Sequence, residues 1–318
     1  MFTKYLTIMP KVIPLLILLI MGYIFKKRNF LNKNTISEIK NFILNITLPA
    51  LLFTAFLDIE FRREYLVIII LVVLINLFML FIGKKVSPFL REEDPYLKLM
   101  FTGFEMGMIG IPLFTAIYGA ENVKYIGIID IGHEIFIWFI LLGILFKLRQ
   151  ESKKVSPYKL FKSFVSSPVI IAILLGIVAN ITGIGAVRES SYLALSFMKT
   201  LEMIAGLTVP LILIIIGYEM EFKTHNVALP VKIISIRLVI LIPLALLINR
   251  LVFTQWLNLG SIYNMALMTM LIMPPPFIIP LFIKERDLYS RKYIYNTLSL
   301  STLVSIVIFI LTVLIYID

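Results

Sequence analysis

The chain has 318 residues, 60% of them hydrophobic and only 15% charged, with a mean hydropathy of +0.97. That leaves too little polar surface for a soluble fold, so the bilayer must act as solvent for most of the chain. The net charge of +11 therefore matters for where its cations lie, not as a sign of nucleic-acid binding, and the absence of cysteine removes disulfides, thiolate nucleophiles and Cys-ligated metals.

Apolar stretches of about the 20 residues that a helix needs to cross the hydrocarbon run over 5–25, 36–57, 65–82, 97–118 and 125–148. Five more run over 168–186, 192–218, 229–252, 262–283 and 293–316. They are continuous rather than alternating, which argues against a β-barrel. The first has no small-residue cleavage site and is too long for a signal-peptide core, so a retained helix is expected.

Eighteen Lys and Arg residues fall in loops after odd-numbered spans, including Lys26, Lys27, Lys33, Lys84, Arg149, Lys284, Arg291 and Lys292. Six fall on the opposite side: Lys4, Arg62, Arg63, Lys124, Arg188 and Arg250. The positive-inside bias makes the first side cytoplasmic and puts both termini outside the cell membrane.

The sequence also repeats. Ile111-Pro112-Leu113-Phe114 recurs as Ile279-Pro280-Leu281-Phe282, and Lys124-Tyr125-Ile126 as Lys292-Tyr293-Ile294. A second echo relates Leu48-Pro49 and Glu60-Phe61 to Val209-Pro210 and Glu221-Phe222. Five spans per half is an odd number, so the second half enters from the opposite side. The expected fold is all-α and integral to the membrane: ten transmembrane helices in two inverted repeats of five, residues 1–148 and 168–318, joined by a basic cytoplasmic linker at 149–167.

Spans four and nine are expected to be broken. Pro274, Pro275 and Pro276 remove three amide donors in a row and clash with the preceding turn; Gly107, Gly110 and Pro112 weaken span four. Broken backbone cannot face lipid and should line a polar cavity, and half-helix amino termini there would attract an anion. Repeated halves with interrupted helices point to a transporter whose site lies where the halves meet.

On these residues the chain resembles the auxin efflux carriers in their small prokaryotic form. Asn45 to Phe53 is similar to the family's second span, and Gly107 to Leu113 followed by Tyr118-Gly119 to its fourth. Met273-Pro274 with Lys284-Glu285 is similar to its ninth, and Ser301 to Ser305 to its tenth. The resemblance implies a substrate site where helices four and nine cross, formed by Glu105, Gly107, Gly110, Pro112, Met273, Pro274, Pro275, Pro276 and Asn45. It further implies a scaffold of spans 1, 2, 6 and 7 that forms a homodimer, and a moving unit of spans 3–5 and 8–10. The implied substrate is a small organic anion, a carboxylate of auxin-like or dicarboxylate type. One position departs: Glu105 stands where the family usually has Asn.

Glu105 lies about 11 Å into span four, and an intramembrane carboxylate points to function by default. It is read as a proton carrier, a cation ligand or a cap for exposed backbone. Asp130, His133 and Glu134 on span five and Arg237 on span eight lie at similar depth, and Arg237 is expected to pair with Glu134 or Asp130. Lys199 and Glu202 share a face of span seven. Asn296, Ser299, Thr302 and Ser305 form a polar stripe on span ten, expected against the span-nine break.

His133-Glu134 lacks the second histidine of a zinc-protease motif, since position 137 is Ile and the other histidine is His225, so no resident metal is expected. No organic cofactor and no nucleic-acid partner are expected; coupling to H⁺ or Na⁺ is compatible with the buried carboxylates. The expected function is a secondary transporter of a small organic anion and not an enzyme. The rivals are a cation/proton exchanger or sodium-coupled symporter on the same plan and, from another class, a non-transporting membrane sensor.

Overall fold

The computed structural model describes residues 2–90, 94–149, 157–183, 192–220, 227–284 and 287–316. The pair Glu221-Phe222, His225, Arg188 and residues 150–156 of the linker lie outside them. All regular structure among the described residues is helical. Among the described residues eight helices are long and apolar enough to cross a membrane: Met9–Lys27, Lys33–Phe56, Glu64–Leu90, Leu97–Tyr118, Ala120–Arg149, Tyr192–Glu219, Ala228–Trp256 and Leu288–Tyr316. Two shorter apolar helices, Pro168–Ile181 and Ser261–Ile272, take the places of spans six and nine.

Close backbone approach decides who packs with whom. Span one lies along the second half of span seven, where a Cβ on Gly22 would stand 2.0 Å from the Ile214 carbonyl oxygen and one on Gly217 would stand 1.9 Å from that of Leu19. Small residues at such crossings let membrane helices meet without a hydrophobic driving force. Spans two and six pack together, as do three and five, eight and ten, and five and nine.

Span four sits at the centre, with 83% of its apolar stretch buried against 22% for span one. Two features were not anticipated from the sequence. The basic linker region carries an amphipathic helix, Pro157–Val165, whose Phe164 ring lies 5.5 Å from that of Phe139. In addition, wide helical turns interrupt several spans, at Ile43–Thr47, Met106–Gly110, Ile137–Leu141 and Asn249–Trp256.

Candidate functional site

Span nine breaks where its prolines require it. The helix Ser261–Ile272 ends, residues 273–278 run without helix, and a single 3₁₀ turn, Ile279–Phe282, follows. Span four breaks earlier than the Gly107–Pro112 segment suggested. A 3₁₀ turn, Leu97–Phe101, leads into the non-helical residues 102–105; Met106–Gly110 and Ile111–Tyr118 then continue as helix. The glycine that the break needs is Gly103, at φ +70°, where an added Cβ would stand 2.4 Å from Pro276 Cγ. Both left-handed geometry and contact with the proline run exclude a side chain there.

Gly107 and Gly110 act differently. They sit in the helical part, where a Cβ on Gly110 would press on Met106 Sδ at 2.8 Å and Met273 Cγ at 3.3 Å. Pro112 follows directly on the wide turn Met106–Gly110, inside the run of helix that continues through Ile111–Tyr118.

Each amide of residues 102–105, the non-helical stretch of span four, finds a partner, as a buried backbone requires. Thr102 N–H donates to Leu99 O at 3.2 Å and Glu105 N–H to Pro274 O at 2.8 Å. Gly103 N–H donates to Asn76 Oδ1 at 3.0 Å and Phe104 N–H to His133 Nε2 at 3.0 Å. Asn76, fully buried on span three, was missed by the sequence reading; a lone Asn inside an apolar run is its only signal.

Acceptance at Nε2 assigns the His133 proton to Nδ1, which donates to Asp130 Oδ1 at 3.1 Å. Asp130, His133 and Glu134 bring one ligating atom each within 4.8 Å of one another. Both ring nitrogens of His133 are already engaged, however, so the group is poorly suited to hold a metal.

The freed carbonyls converge on one side chain. Arg237, buried on span eight, donates to Met100 O at 3.0 Å, Gly103 O at 3.1 Å and Met273 O at 3.2 Å. Its guanidinium carbon lies 5.2 Å from the centroid of the Phe104 ring. The expected pairing with Glu134 or Asp130 is therefore not made: the carboxyl-terminal carbonyls of two broken helices, each with a partial negative charge, occupy the guanidinium fork instead. Glu134 accepts from Trp138 Nε1 at 2.7 Å. Ser305 on span ten donates to Ile272 O at 2.5 Å, so one member of the polar stripe does serve the span-nine break.

Glu105 is the hinge of the arrangement. Its Oε1 accepts from Met108 N–H at 3.2 Å and its Oε2 from Phe277 N–H at 2.8 Å. One carboxylate thus spans the amide ends of both broken segments, half-buried in the crossing.

A cavity of about 1190 Å³ reaches this crossing at Ile109 and Phe277 and is walled on span ten by Asn296, Ser299 and Thr302. Its mouth carries Lys33, Lys40, Arg291 and Lys292 with one acid, Glu219, and that acid is bonded to Lys40 Nζ. Asn45 is exposed, with its amide donating to Asn41 O at 2.7 Å, and it lines neither crossing nor cavity. Lys199 and Glu202 pair at 3.0 Å with side chains 67% and 51% exposed, also away from the cavity.

A family model described as "Membrane transport protein" matches residues 7–317. A curated protein of Methanothermobacter thermautotrophicus, described as an uncharacterized transporter, is 22% identical over 236 residues, 72% of this chain and 74% of its own.

Proposed function

From the premise that this chain belongs to the membrane transport protein family, the auxin efflux carriers, we propose that it is a secondary transporter of a small organic anion, alternately open to each side at the crossing of spans four and nine. The observation that carries this is the continuity of the cavity: one wall runs from the cationic mouth at Lys33, Arg291 and Lys292 to Ile109 and Phe277 beside the broken backbone. A positive mouth concentrates anions, and apolar walls with a few polar groups suit an amphipathic carboxylate.

In this reading spans 1, 2, 6 and 7 form the fixed scaffold and spans 3–5 and 8–10 move. The Lys199–Glu202 pair supports a homodimer through span seven. An ion pair about 10 Å from the start of that span is costly against lipid, so a second copy is the suitable cover. On the positive-inside bias the cationic mouth faces the cytoplasm and both termini lie outside, the membrane being read as the cell membrane.

Proteoliposomes loaded with labelled benzoate, indole-3-acetate and succinate test the reading. Saturable flux of at least one is expected; electrogenic cation exchange with none of them moved would replace it with the cation/proton exchanger, the alternative that the acidic trio Glu105, Asp130 and Glu134 favours.

A further inference from the structure

The two amides best placed to hold a substrate carboxylate are already held by one. Met108 N–H and Phe277 N–H come from different halves of the chain, and both point at the oxygens of Glu105. We propose, building on the anion-transport reading, that Glu105 is a tethered anion which the substrate carboxylate displaces, so that each substrate anion crosses together with one proton.

Three states at these amides can be compared. With Glu105 ionised and no substrate, both donors are satisfied. With Glu105 ionised and a substrate carboxylate alongside, two like charges share one pair of donors in a medium of low dielectric, where their repulsion is large. With Glu105 protonated and the substrate carboxylate on the amides, the donors are satisfied again and the local charge is unchanged. A fourth state, Glu105 protonated and no substrate, leaves two inner amides facing only a neutral, weaker acceptor in place of a carboxylate. The first and third can cross; the second and fourth are disfavoured.

The exchange balances simply. Two N–H···O bonds to Glu105 break, two to the substrate form, and a proton from water in the cavity joins a Glu105 oxygen. No bond to carbon changes.

The surroundings do not supply a substitute charge. Arg237 is committed to Met100, Gly103 and Met273 carbonyls. His133 is engaged at both ring nitrogens. Asp130 and Glu134, on the same span-five helix, are acids and offer a substrate anion no positive charge. Span nine contributes no titratable side chain between Ser261 and Phe282 except Tyr263, which is bonded to Tyr65 at 3.1 Å. Span ten reaches the cavity with Arg291 and Lys292 at its mouth.

The test measures benzoate and proton movement together in proteoliposomes carrying a trapped pH dye. The wild-type protein is expected to bring in one proton per benzoate, to ignore an imposed membrane potential, and to gain affinity by up to about tenfold per pH unit of acidification, since binding then takes up a proton. Glu105→Gln is expected to carry benzoate without protons and to respond to the potential.

Wild-type uptake without proton movement, or an unchanged proton-to-benzoate ratio in Glu105→Gln, overturns the exchange and leaves anion transport standing. Absence of flux of benzoate, indole-3-acetate and succinate in both proteins overturns both readings. Should Glu105→Gln not fold, calorimetry of benzoate binding to the wild type in phosphate and Tris decides alone. Uptake of one proton per benzoate, read from the buffer dependence of the heat, supports the exchange, and none overturns it.

Discussion

Arg237 shows how a single side chain can hold a broken helix inside a membrane. Helix ends leave carbonyls that water would normally satisfy, and the hydrocarbon supplies no water. Five fixed donors in a planar fork let one guanidinium satisfy Met100, Gly103 and Met273 at once, at the point where spans four and nine meet. Arg237→Gln keeps a polar group but cannot reach all three, so buried acceptors are left bare at about 1–3 kcal/mol each. The expected outcome is a loss of roughly 3–5 kcal/mol, seen as a lower unfolding midpoint in detergent and loss of flux. An unchanged midpoint would show that water or a neighbouring donor replaces the fork. The sequence revealed that a charge at this depth needed a partner, but not which one. Spacing along one helix cannot show that the carbonyls of two other helices converge there.

At the scale of elements, the proline run and the depth of Glu105 could be read from sequence because both are local. Three missing amides force a break wherever they stand. The break in span four could not be placed the same way. Gly103, Gly107 and Gly110 are equivalent as letters; only Pro276 approaching at contact distance selects Gly103. A second junction between elements lies at the foot of span ten, where Ser290 Oγ lies within hydrogen-bond reach of both Asp94, in the loop before span four, and Asp287, its one proton serving one carboxyl at a time. Burial pushes the Asp94 carboxyl above its ordinary value of 3.8, only partly offset by hydrogen bonds from Ser290 and Tyr96. A raised carboxyl in the folded state means that the charged form is the costly one. That cost is fully present above the folded value and absent below 3.8. Asp94→Asn, which keeps the oxygen that accepts from Tyr96 N–H at 2.7 Å, should therefore raise the melting temperature at pH 7 and lose the advantage as pH falls toward 4. A gain that persists at low pH would assign the effect to packing instead of charge.

For the molecule as a whole, the open question is movement. The structure opens the cavity toward the side bearing Lys33, Arg291 and Lys292, and alternating access requires a second state in which the same wall faces the other way. The chain has no cysteine, so a single introduced thiol reports without background. Ser299 is half-buried on the cavity wall and its side chain is not bonded across the crossing, which makes Ser299→Cys a mild change. A membrane-impermeant maleimide should label it rapidly from the lysine-rich side. From the opposite side labelling should be slow and should rise when a transported carboxylate draws the moving unit across, because a ligand shifts a two-state equilibrium only by its preference for one state. Labelling confined to the lysine-rich side under every gradient would mean that the cavity is a one-sided vestibule, and a protein with such a vestibule binds without carrying.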